Sequence, residues 1–161
     1  MNRKTPQSPR QDFGVLLNLA FGAFKTDLHE ALAHAGFDDV GPSFGYVFRL
    51  LAAGPLNLRE VSSALGMSAP GALKIVSDMV DKGYVERLEH AVDARQKLLA
   101  LTPRAHEAMA AAHAFHVDFE AALAHRIGLR ETQGARRLLE AIVEDSDGRR
   151  DGDDRNRLRP L

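Results

Sequence analysis

From Phe13 onward the apolar positions fall at helical spacing. Phe13, Leu16, Leu17, Ala20, Phe24, Leu28, Ala31 and Leu32 recur every three or four residues and predict a long first helix ending near Gly36. Gly41-Pro42 breaks the chain, and Phe44 to Ala53 then predicts a short apolar helix closed by Gly54-Pro55. Asn57, with Glu60 three residues on, has the pattern of a capping box. The third helix that it opens buries Leu58, Val61 and Leu65 and stops at Gly66. Ser68 caps a fourth helix running to about Lys82, with Leu73, Val76, Met79 and Val80 on its buried face, and Gly83 ends it.

The period then changes. Tyr84 to Leu88 and Gln96 to Leu101 are short β-prone runs, joined by residues 89–95. Thr102-Pro103 opens a long fifth helix whose apolar positions run through Ala105, Met109, Ala112, Phe115, Phe119, Leu123 and Ile127 as a packing seam does. A final helix spans roughly Glu131 to Val143. Residues 1–10 and 145–161 are polar and charged, with little to bury, and read as disordered tails around one domain over 11–144. The expected fold is mainly α with a small β-wing: a winged helix-turn-helix head over about 43–102, flanked by dimerisation helices over about 12–36 and 103–143.

Asn57 to Lys82 has helix-turn-helix spacing, with Gly66 allowing the left-handed turn and Met67 packing back into the core. In such motifs the N-terminal end of the second helix meets base edges in the DNA major groove; here that end is Ser68, Ala69, Pro70, Gly71 and, one turn on, Lys74. Short antiparallel helix pairs in ordinary cores have the same pattern, so the ribbon that follows carries weight. A hairpin between helices whose turn holds Asp93 and Arg95 suits a wing that reaches the narrow minor groove. Arg95 sheds water more readily than a lysine, and Asp93 can accept hydrogen bonds from it and fix its direction. Read alone, the two residues amount to an exposed ion pair.

Composition changes this picture little. The chain has 161 residues, 45% hydrophobic and 27% charged, with a formal net charge of −1. That balance is neutral on a nucleic-acid partner, because local cations set phosphate affinity. Cysteine is absent, which excludes disulfides and thiolate metal sites and fits a cytoplasmic protein. No apolar run approaches the length of a membrane span.

The run from Ser68 to Arg104 resembles the multiple antibiotic resistance regulator (MarR) family. The matching residues are Ser68 opening the recognition helix, Val80-Asp81-Lys82-Gly83-Tyr84-Val85-Glu86-Arg87, Asp93-Ala94-Arg95 and Leu101-Thr102-Pro103. The resemblance implies a homodimer with interleaved terminal helices, bound to a pseudo-palindromic operator in double-stranded DNA. It also implies release by a small aromatic or phenolic ligand held between the dimer helices and the reading head. It places Ser68, Ala69, Pro70, Gly71 and Lys74 at the major groove, Arg95 at the minor groove with Asp93 orienting it, and Arg87 near the phosphate backbone. The chain departs from the family in Ser62, where alanine is commoner, in the Ala69-Pro70-Gly71 tip, and in a slight basic excess between Asn57 and Arg104. Independently, the first and last two helices carry more apolar surface than a winged head can cover, which a second copy would bury.

Phe44, Tyr46 and Phe48, with Phe21 and Phe24, are candidates to line an aromatic ligand cleft, the alternative being plain core; Arg49 is the candidate partner for a carboxylate. His113 and His116 have a spacing that suits a metal, but without thiolates they read as surface or interface histidines, and no metal or cofactor is expected. No nucleophile motif, phosphate loop or paired carboxylate is present, so the chain does not read as an enzyme. The function expected is a transcriptional repressor. The alternatives are an activating or architectural factor without ligand response, and a helical interaction module that has lost DNA binding.

Overall fold

The computed structural model describes residues 12–89 and 97–148. Six helices and three short strands follow in the order α1 (Phe13–His34), α2 (Phe44–Leu51), β1 (Leu56–Asn57), α3 (Leu58–Ala64), α4 (Ala69–Asp81), β2 (Val85–Glu89), β3 (Lys97–Leu101), α5 (Pro103–Ile127) and α6 (Leu129–Gly148). The mainly helical architecture with a small antiparallel sheet is the one that the periodicity predicts. The two-residue strand β1 is additional. It pairs with β3 through Leu56 opposite Leu99, so β3 lies in the middle of a sheet ordered β1-β3-β2. α6 also starts two residues earlier than the apolar pattern suggests and continues to Gly148.

The core belongs to the reading head. α2 contributes Phe44, Val47, Phe48 and Leu51, α3 and its end Val61 and Leu65, α4 Val76 and Met79, and the sheet Val85 and Leu99, all around Tyr84. Each aliphatic side chain buried this completely contributes roughly 1.5–3 kcal/mol. Small residues let α5 approach this cluster, since Ala105 and Ala108 are its two buried positions.

Away from the head the packing thins. α1 buries Leu32 alone, and Phe24 meets Phe115 and Phe119 of α5 at ring-centroid distances of 5.5 and 5.1 Å. α6 packs on α5, with the Arg136 guanidinium paired to Glu120. Phe13, Leu16, Leu19 and Phe21 on α1, and Leu129, Leu138 and Leu139 on α6, remain about half exposed or more. Among the described residues no helix is long and apolar enough to cross a membrane.

Candidate nucleic-acid interface

Local chemistry sets the angle between α3 and α4. Asn57 and Glu60 complete the capping box: Glu60 N donates to Asn57 Oδ1 at 3.0 Å and Asn57 N to Glu60 Oε2 at 2.7 Å. Gly66 turns the chain at φ 62°, Met67 packs against the core, and Ser68 Oγ accepts from Gly71 N at 3.3 Å to cap α4. Ser62 is buried, and its hydroxyl donates to the Arg59 carbonyl at 2.9 Å, so the departure from alanine is satisfied locally.

α4 turns Ala72, Val76 and Met79 inward. Ser68, Ala69, Pro70 and Lys74 are exposed, and Gly71 is half-buried. One expectation fails here. Leu73 is 46% exposed and does not join the buried face. The core approaches α4 closely enough to take the methyl of Ala72, which rotates Leu73 outward by one position of the helical wheel.

Beside this outward face lies a groove of about 670 Å³ between α3, α4 and the sheet. Leu58, Val76 and Leu99 contribute apolar wall, and Leu73 stands in its lining. Arg59, Arg87 and Lys97 contribute the charge, and no lining residue is acidic. Strand register explains the arrangement: Arg87 opposes Leu99 and Glu89 opposes Lys97, so these pairs share one sheet face. Lys97 Nζ pairs with Glu89 at 3.0 Å across the ribbon. Asp93 and Arg95 lie outside the described residues.

The head is tied to α5 by polar contacts at the root of the ribbon. Thr102 Oγ1 donates to the Gly83 carbonyl at 2.6 Å and accepts from Ala105 N at 3.3 Å, so one hydroxyl caps α5 and holds the end of the α4 turn. Arg104 Nη2 reaches both oxygens of Asp39, at 3.0 and 3.2 Å, and lies 3.3 Å from the Tyr84 hydroxyl, which itself donates to Asp39. Burial works to raise the Asp39 carboxyl, but the hydrogen bonds from Tyr84 and Arg104 outweigh it and hold it below the ordinary 3.8. Burial and its bond to Asp39 hold the Tyr84 phenol above 10.0.

The four candidate ligand residues separate into two places. Phe44 and Phe48 are 2% and 5% exposed and pack edge-on to Tyr84 at 5.7 Å. Phe24 stacks on His116 at 5.4 Å, and Arg49, exposed on α2, is near enough for its charge to act on that histidine. Burial holds the His116 imidazole below its ordinary 6.5, with Arg49 and His113 pushing the same way against Glu120. Among the described residues no group of three metal-ligating side chains comes together.

Sequence reasoning missed Arg59, Lys97 and Leu73 in this region. Lys97 had a readable signal, because a hairpin places it at equal parity with Arg87 on one face; Arg59 and Leu73 depend on how α3 and α4 are rotated against the core.

Comparison with known proteins agrees with this geometry. The sequence profile of the MarR family matches residues 40–96. No curated protein matches the chain. Among solved structures, RV1404 from Mycobacterium tuberculosis superposes with a TM-score of 0.66 at 22% identity, over 86% of this chain and 97% of that one. Wild-type MarR from E. coli in its apo form gives 0.63 at 20% identity, over 84% and 98%. A transcriptional repressor, CouR, bound to a 23-mer DNA duplex gives 0.64 at 22% identity, over 81% and 92%. Over residues 40–96 the chain is thus similar to the MarR family, and as a whole it has the winged helical fold of these solved structures.

Proposed function

We propose that the chain is a homodimeric, sequence-specific DNA-binding regulator of transcription that works in the cytoplasm. The observation that carries this reading is the groove beside α4, where Arg59, Arg87 and Lys97 line the wall together with Leu73 and no lining residue is acidic. In a chain of net charge −1, three cations lie together there, Lys97 paired with Glu89, where a duplex backbone would pass between the helix and the wing. In this reading Ser68, Ala69, Pro70, Gly71 and Lys74 meet the major groove, Arg87 a phosphate, and Arg95, oriented by Asp93, the minor groove.

The exposed apolar faces of α1 and α6 support dimerisation, since Leu19 at 52% and Leu139 at 50% exposure gain from a second copy. A two-fold dimer presents two heads to a pseudo-palindromic site. For ligand release, the supporting feature is the cluster of Phe24, His116 and Arg49, an aromatic wall beside a cation that suits a small aromatic acid. Phe44 and Phe48 lie apart from it, packed against Tyr84 in the core.

An electrophoretic shift on the DNA upstream of its own gene, across a salt series, tests the reading. Wild type is expected to bind as a dimer and Arg95→Ala to bind more weakly. Equal shifts by both proteins at every salt concentration remove the wing assignment, and no shift at all removes DNA binding. Release by a panel of aromatic acids makes it a ligand-responsive repressor; no release leaves a regulator without that response.

A further inference from the structure

Leu73 is a large apolar side chain on a face where the core makes no use of it. Ala72, Val76 and Met79 fill the inward side of α4, leaving Leu73 46% exposed. It stands in the wall of the groove that also holds Arg59, Arg87 and Lys97, and Lys74 beside it is exposed too. A lone exposed leucine needs no explanation. This one sits among cations that suit phosphates, on the helix whose tip meets base edges.

The tip itself is poor in hydrogen-bonding chemistry. Ala69, Pro70 and Gly71 have no side chain that can form the paired hydrogen bonds by which arginine reads guanine or asparagine reads adenine. The apolar group that DNA exposes in its major groove is the thymine 5-methyl. Pro70 precedes Leu73 by three residues, so the two lie on one side of the helix and form an apolar strip facing outward.

We infer that Leu73 is a specificity-determining residue that selects thymine, by packing its isobutyl group on the thymine methyl in each half-site. This rests on the DNA-binding reading above. The flanking cations supply affinity without regard to sequence, and Leu73 supplies discrimination without charge. One buried methyl corresponds to about 0.8 kcal/mol, or about fourfold in affinity.

The test uses the full chain and a pool of random duplexes, from which the protein selects its own site. Thymine is expected at one fixed position per half-site. Replacing that thymine by deoxyuridine removes the methyl and nothing else. Wild type should then bind about fourfold more weakly per half-site. Leu73→Ala, an exposed change to a better helix former, should bind the thymine and uracil duplexes equally. Arg87→Gln should weaken both and keep their ratio. If wild type binds a selected site but does not distinguish thymine from uracil, or if Leu73→Ala keeps the full ratio, the assignment of Leu73 is wrong and DNA binding stands. If no duplex is selected, the DNA-binding reading falls, and this inference with it.

Discussion

Arg104 Nη2 lies 3.0 Å from Asp39 Oδ1, joining the first turn of α5 to the segment that precedes α2 across 65 positions of sequence. The guanidinium also lies over the Tyr84 ring at 4.9 Å, so a single arginine holds the ribbon root, the α2 approach and α5 together. Asp39→Asn is expected to destabilise the fold by about 1 kcal/mol, toward the low end for charged hydrogen bonds because both partners remain partly in water. The Asp39 carboxyl titrates below its ordinary 3.8, so its contribution is complete above that value and is lost as pH falls through the lowered folded value. Urea denaturation should therefore separate wild type from the variant at neutral pH and bring them together in strong acid.

His116 gives a second pH dependence with its own window. Its folded value lies below 6.5, so the fold favours the neutral ring. The contribution is complete above 6.5 and declines as pH falls from there toward the lowered folded value. The charged groups acting on it are Arg49 from α2 and His113 and Glu120 from α5. His116→Gln should flatten this part of the stability profile, and an unchanged slope would rule out His116 as its source.

The groove cations predict a salt signature. If Arg87 and Lys97 each neutralise a phosphate, Arg87→Gln and Lys97→Gln should each reduce the slope of log affinity against log salt by about 0.9. The loss should be similar on every duplex. A variant that changes sequence preference while leaving the slope intact contacts bases and not the backbone.

Two glycines make a matched pair for the turn. Gly66 takes φ 62°, where a side chain costs about 1–2 kcal/mol, so Gly66→Ala should destabilise by that amount. Gly45 lies inside α2, and an added Cβ meets nothing within 4 Å. Gly45→Ala should stabilise by roughly 0.5–1 kcal/mol. Thermal melts of the two variants are expected to move in opposite directions.

What could be read from sequence was what local chemistry decides. The caps at Asn57, Ser68 and Thr102 were legible because each satisfies donors within three residues of itself. The two ribbon strands were legible from their β-prone residues. β1 was not, since two residues carry no period and Leu56 becomes a strand only by meeting Leu99. The inward face of α4 was legible at Val76 and Met79 but not in its first turn, where Leu73 satisfies helical spacing as well as Ala72 does; the choice depends on how closely the core can approach, which favours alanine. The contacts of Asp39 with Tyr84 and Arg104 span 45 and 65 positions and leave no local trace. Within the proposed interface, the exposed start of α4 follows from the Ser68 cap, while the grouping of Arg59 and Leu73 in one groove depends on the three-dimensional arrangement.

The unbroken course of α5 has a mechanical consequence. Its 25 residues make a rod about 37 Å long at about 1.5 Å per residue. One end is bolted to the ribbon by Thr102 and Arg104, and Phe115, His116 and Phe119 lie midway along it. Pivoting such a lever by about 5° around its Ile127 end displaces the ribbon end by about 3 Å, close to the roughly 3.4 Å spacing of successive base pairs. In the proposed DNA-bound dimer, so small a tilt is thus large enough to carry a head from one base-pair register to the next.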